Sequence, residues 1–92
     1  MNILGLGGIH NEAACALLRN GQIAAAAEEK KIARRATANG VPDHAIQSCL
    51  TASGVKPAEI DCVAVVRPFA ENIPLALRTR FPNARIVVVE HH

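Results

Sequence analysis

The chain has 92 residues, half of them apolar, and a net charge of +2, which describes one domain with a modest core. Ten Lys and Arg against eight Asp and Glu give no steering field for nucleic acid or an anionic membrane. With two Phe and no Trp or Tyr, stacking platforms for single-stranded nucleic acid are nearly absent as well. Cys15, Cys49 and Cys62 are odd in number, widely spaced and set among apolar residues, which argues against a disulfide framework or a Cys-based zinc site. A reducing, cytoplasmic compartment is the expectation. No apolar run reaches the length of a membrane span, and Met1-Asn2 has no basic region to open a signal peptide.

Ile3, Leu4 and Leu6 form a short apolar strand that ends in Gly7-Gly8. Glycine tolerates positive φ and close approach to the backbone, so this ending suits a tight, exposed turn. The polar cluster His10, Asn11 and Glu12 follows at its mouth, where a ligand would meet side chains and backbone N–H groups. Ala13 to Leu18 and Gln22 to Ala27 read as two further strands joined at Asn20-Gly21, the dipeptide that a type I′ hairpin favours. One long helix from Glu12 to Arg35 is the competing reading, since Ala, Leu, Glu and Lys favour helix. It would place Asn20-Gly21 in mid-helix, where Gly costs about 1 kcal/mol against Ala. The charged run Glu28-Glu29-Lys30-Lys31 through Arg34-Arg35 reads as solvated surface.

A helix is expected from Pro42-Asp43, with Asp43 complementing the positive end of the dipole and Gly54 as the stop. Ile46, Cys49, Leu50 and Ser53 define its buried stripe. Cys62 to Val66 reads as a strand covered on both faces. A second helix spans Asn72 to Phe81, with Leu75 and Leu77 among its apolar positions, and Ile86 to Val89 is another buried strand. The order βββαβαβ places an antiparallel meander ahead of parallel, right-handed crossovers. That is an α/β layout with a mixed five-stranded sheet, the layout of a ribonuclease H-like half-domain, whose usual final helix is missing here. One sheet face is therefore expected to lie uncovered, available to a partner, a further segment or a second copy of the chain.

The pieces also occur in a particular order: Ile3-Leu4-Gly5, His10-Asn11, Ala13-Ala14-Cys15-Ala16-Leu17, Asn20-Gly21 and Ala26-Ala27-Glu28-Glu29-Lys30. Pro42, Ala45-Ile46-Gln47-Ser48-Cys49-Leu50, Asp61-Cys62-Val63 and Glu90-His91-His92 complete it. This ordered set resembles the amino-terminal end of the carbamoyltransferase family that includes nodulation and antibiotic O-carbamoyltransferases. Two departures stand out. Asn11 replaces the family's usual Asp, removing a carboxylate, and Lys30 replaces an Arg, losing a planar bidentate fork.

The resemblance implies that residues 1–92 are a single, truncated domain opening an enzyme several hundred residues long, of the actin-like ATPase superfamily fold. In such enzymes carbamoyl phosphate and ATP yield a carbamoyl-adenylate, and the carbamoyl group then passes to a substrate hydroxyl. A hydroxyl needs a base at neutral pH, and an imidazole titrates in that range. By resemblance His10 is that catalytic histidine. Gly7, Gly8 and Asn11 would line the phosphate-side loop, with backbone N–H groups as donors. His91 matches the first ligand of a divalent metal, iron or another. Its partner four positions later lies past the end of the chain, so no tightly bound metal is expected here, and since such folds hold the nucleotide between two half-domains, no tightly bound ATP either. A competing reading takes Glu90-His91-His92 as the start of a purification tag, under which His91 carries no role. The expected partners are the enzyme's remaining domains and a small hydroxyl acceptor, with no nucleic acid and no membrane. Two other readings stay open: a stand-alone, non-catalytic interaction module of the same fold, and a relative of the enzymes of tRNA threonylcarbamoyl-adenosine synthesis.

Overall fold

The computed structural model describes residues 1–8, 13–29, 41–67, 69 and 71–90. Within them the chain runs β1 (Asn2–Gly7), β2 (Ala14–Arg19), β3 (Gln22–Glu28), α1 (Asp43–Ser53), a 3-10 turn (Pro57–Glu59), β4 (Cys62–Val66), α2 (Ile73–Arg80) and β5 (Arg85–Val89). The five strands form one sheet in the order β3-β2-β1-β4-β5. β2 pairs antiparallel with β1 and β3, whereas β1, β4 and β5 are parallel. The expected mixed sheet and element order are therefore present. Residues 14–19 and 22–28 are strands, which excludes one helix through this region.

Local chemistry sets the corners. Asn20 (φ 53°) and Gly21 (φ 82°) both adopt positive φ, as a primed hairpin turn requires. The Met1 ammonium donates to Asn20 Oδ1 at 2.9 Å and ties the turn to the start of β1. Gly54 (φ 74°) ends α1 in the left-handed conformation, its N–H donating to the Leu50 carbonyl at 2.9 Å. Asp61 fixes the parallel register from below. Its Oδ2 accepts the Asn2 N–H at 2.7 Å, its own N–H donates to the Asn2 carbonyl, and its carbonyl takes the Arg85 N–H at 3.0 Å.

Side-chain alternation assigns the two faces. Leu4 and Leu6, Cys15 and Leu17, and Val63 and Val65 all point to the helix side and are buried. They form one cluster with Ala45, Ile46, Cys49 and Leu50 of α1 and with Ile73, Leu77 and Phe81 of α2. Both helices thus cover the same face. Each fully buried Leu, Ile, Val or Phe contributes about 1.5–3 kcal/mol.

Several expectations need correction. Leu75 is 70% exposed. The stripe that α2 buries is Ile73, Leu77 and Phe81, and Leu75 lies about 200° around the helix from Ile73. In α1, Ala45 joins the buried stripe and Ser53 is only half-buried, its hydroxyl donating back to the Cys49 carbonyl at 2.7 Å. β4 is buried on the helix side only; Cys62, Ala64 and Val66 are half-buried. β5 is an edge strand, with Val88 and Val89 exposed by 38% and 41%. A run of valines reads as doubly covered, but on the second face no described element packs. No described helix is long and apolar enough to cross a membrane.

Candidate functional site

The open face is built from unusually small side chains. In the ladder, Gly5 pairs with Ala16 and Ala64, Ala16 with Ala26, and Gly7 with Ala14. Short side chains cannot fill the space above the pleat, and a concavity of about 790 Å³ results. Gly5, Gly7, Ala14, Ala16, Glu28, Ala64 and Val66 contribute to its lining. It lies toward the end of the sheet where β1 and β4 finish, the side on which open α/β sheets hold ligands.

The glycines there are not demanded by their protein neighbours. A Cβ built on Gly7 meets nothing within 4 Å, and one on Gly5 comes no closer than 3.8 Å, to the Ala16 carbonyl oxygen. A backbone left bare with room around it is open to a ligand's approach. Gly8 turns the chain out of the sheet at φ 62° and is exposed. Of the residues singled out from sequence, Gly7 thus lines the concavity, and Gly8 follows it just past the end of β1. His10, Asn11 and His91 lie outside the described residues. Residues 9–12 join Gly8 to Ala13, and His91 follows Glu90 directly. Because β1, β4 and β5 are parallel, Gly8 and Glu90 leave the sheet at the same end. One strand separates β1 from β5, which sets their spacing at about 10 Å. Glu90 is held by Arg67, whose Nε donates at 2.8 Å and whose guanidinium lies 5.4 Å from the Phe69 ring centroid.

Sequence reasoning missed one buried acid. Glu29, expected on the surface with Glu28, is only 6% exposed. Alternation explains the split: Glu28 follows Ala26 onto the open face, and Glu29 turns to the helix side. There its Oε1 accepts the Ala45 N–H at 2.7 Å and its Oε2 pairs with His44 Nδ1 at 2.8 Å. Pro42, at the N-cap of α1, has no side-chain acceptor, so Glu29 satisfies an orphan donor and places a carboxylate at the positive end of the helix. A helix start without Ser, Thr, Asp or Asn before it was the available signal. Asp43, in the first turn of α1, accepts from Arg80 Nη1 at the end of α2 and joins the two helices.

Cys15 and Cys49 meet beneath the sheet, their sulfurs 2.9 Å apart and both buried. Burial, followed by the hydrogen bond and charge interaction with Cys49 and the nearby Glu29 charge, pushes the Cys15 thiol well above its ordinary range. Among the described residues, no three His, Cys, Asp or Glu side chains gather to hold a metal ion.

No family model matches the chain. Nodulation protein NolNO of Sinorhizobium fredii (strain NBRC 101917 / NGR234) is 41% identical over 54 residues, which is 59% of this chain and 8% of that protein. YeaZ from Pseudomonas aeruginosa superposes with a TM-score of 0.68 at 16% identity, covering 97% of this chain and 42% of its own. An uncharacterized protein with similarity to peptidase YEAZ from Pseudomonas aeruginosa gives a TM-score of 0.69 at 18% identity, over 97% and 43%. The chain spans under half of each of these proteins. The resemblance to nodulation-type proteins holds, and the fold is the actin-like ATPase, ribonuclease H-like one.

Proposed function

We propose that this chain is the amino-terminal domain of an ATP-dependent O-carbamoyltransferase, which moves a carbamoyl group from carbamoyl phosphate, through a carbamoyl-adenylate, to a substrate hydroxyl. The observation that carries the reading is the 41% identity to a nodulation protein over 54 residues. The open space over Gly7 and the positive φ of the exposed Gly8 support it. N–H groups at a glycine turn suit the phosphate oxygens of carbamoyl phosphate or ATP, with Asn11 as a neutral side-chain donor. ATP is a substrate here and supplies the activated leaving group. His10 removes the proton of the acceptor hydroxyl as it attacks the carbamoyl carbon, and the adenylate leaves. His91, one residue past Glu90, would supply one metal ligand.

The test is made in the full-length enzyme. His10→Ala should abolish carbamoyl transfer to the hydroxyl while carbamoyl-adenylate still forms, read by chromatography of both products. Undiminished transfer removes His10 from the mechanism, and absence of any adenylate in the unaltered enzyme removes the reading itself. A second reading, a non-catalytic interaction module, is favoured by the half-exposed small-residue face. Self-association of the chain in sedimentation experiments, without adenylate formation in the longer protein, would support it.

A further inference from the structure

We propose that Cys15 and Cys49 are a site of reversible thiol oxidation, closing into an intrachain disulfide that pins α1 to β2. Cys15 alternates with Leu17 on the helix side of β2, and Cys49 sits in the buried stripe of α1. The two sulfurs are 2.9 Å apart, roughly 0.9 Å more than a disulfide bond of about 2.05 Å. Both are free thiols joining elements 34 positions apart in sequence. Cys62 alternates with Val63 on the opposite face of β4, so the sheet itself separates it from the pair.

Access is restricted but present. Cys15 and Cys49 are 3% and 1% exposed, enclosed between β2 and α1. An oxidant therefore meets the sulfurs when α1 opens locally from the sheet. The raised thiol pKa keeps the thiolate fraction low near neutrality, so oxidation is slower than at an exposed cysteine and quickens with pH.

The oxidant is a low-molecular-weight disulfide such as oxidised glutathione. One protein thiol loses its proton to solvent, and its sulfur attacks the small disulfide, forming a mixed disulfide and expelling one small thiolate. The second protein thiolate attacks the mixed disulfide at the protein sulfur, forming the Cys15–Cys49 bond and releasing the second small thiolate. Two protein thiols are oxidised and one small disulfide is reduced to two thiols. The bond closes a loop that contains β3 and Glu29, so it constrains the segment that holds the start of α1.

The experiment equilibrates the chain with reduced and oxidised glutathione at graded ratios near about pH 8, quenches by alkylation, and maps peptides by mass. Expected are loss of two of the three thiols, a mass lower by two hydrogen atoms, a Cys15–Cys49 peptide pair, and reversal by reductant. The unfolding midpoint should rise by about 10 °C in the oxidised form. Cys62→Ala keeps the pair and should behave identically, so no core cysteine need be altered. Three intact thiols at every ratio, a stable glutathione adduct without closure, or a bond through Cys62 overturns the proposal. An unchanged midpoint overturns the pinning.

Discussion

Removing the carboxylate of Glu29 tests whether a side chain from the end of β3 determines how α1 begins. In Glu29→Ala the Ala45 N–H loses its acceptor at 2.7 Å in a buried setting, which costs about 1–3 kcal/mol. The bond to His44 adds less, because the His44 side chain is 59% exposed and water competes for it. Loss of negative charge at the helix N-terminus adds about 0.3–1 kcal/mol. The total is about 2–4 kcal/mol, or on the order of 10–20 °C in unfolding midpoint for a domain of this size. Glu29→Gln keeps an acceptor for Ala45 and loses only charge, so it should fall by about 1 kcal/mol. The assay is thermal and urea unfolding followed by circular dichroism. A double-mutant cycle with His44→Ala should show a coupling of about 0.5 kcal/mol. If Glu29→Ala unfolds within about 0.5 kcal/mol of the unaltered chain, the carboxylate is not what secures α1.

Gly7→Ala should leave stability unchanged or slightly raised, since its methyl meets nothing within 4 Å, while weakening phosphate-ligand binding in the full-length protein; calorimetry and a binding titration separate the two effects. Leu77→Ala should cost about 2–5 kcal/mol in urea unfolding, whereas Leu75→Ala should fall within about 0.5 kcal/mol of the parent, and the reverse ranking would contradict the orientation of α2. The Cys15 thiol is raised in the fold, so above its ordinary value of 9.0 the native state retains a proton the unfolded chain has lost. Its contribution is intact below that pH and declines, by up to about 1.4 kcal/mol per pH unit, as pH climbs toward the higher folded value. Cys15→Ala should therefore show a shallower alkaline decline in stability, and an unaltered slope would refute the assignment.

The motif order carried the resemblance, but the acceptor geometry around α1 did not show in it. Glu28 and Glu29 are identical neighbours in sequence. Only the pairing of Ala14 with Glu28, and the hydrogen bond from the Glu29 N–H to the Ala13 carbonyl at 2.9 Å, settle which of them turns inward. Likewise Cys15 and Cys49 each read as ordinary apolar positions, and their meeting depends on how α1 lies across β2. The concavity has the same origin. Gly5, Gly7, Ala14, Ala16 and Ala64 are dispersed in sequence, and only lateral pairing of three strands gathers them.

Strands, the primed turn, the helix stop and the order of elements are legible residue by residue, because backbone φ preferences and apolar spacing act over a few positions. The tertiary structure alone decided which face each strand buries, that β5 lies at an edge, that Glu29 caps a helix beginning fourteen positions later, and that two thiols touch. Those facts depend on contacts between segments far apart in the chain, and their energies exist only once the sheet has assembled.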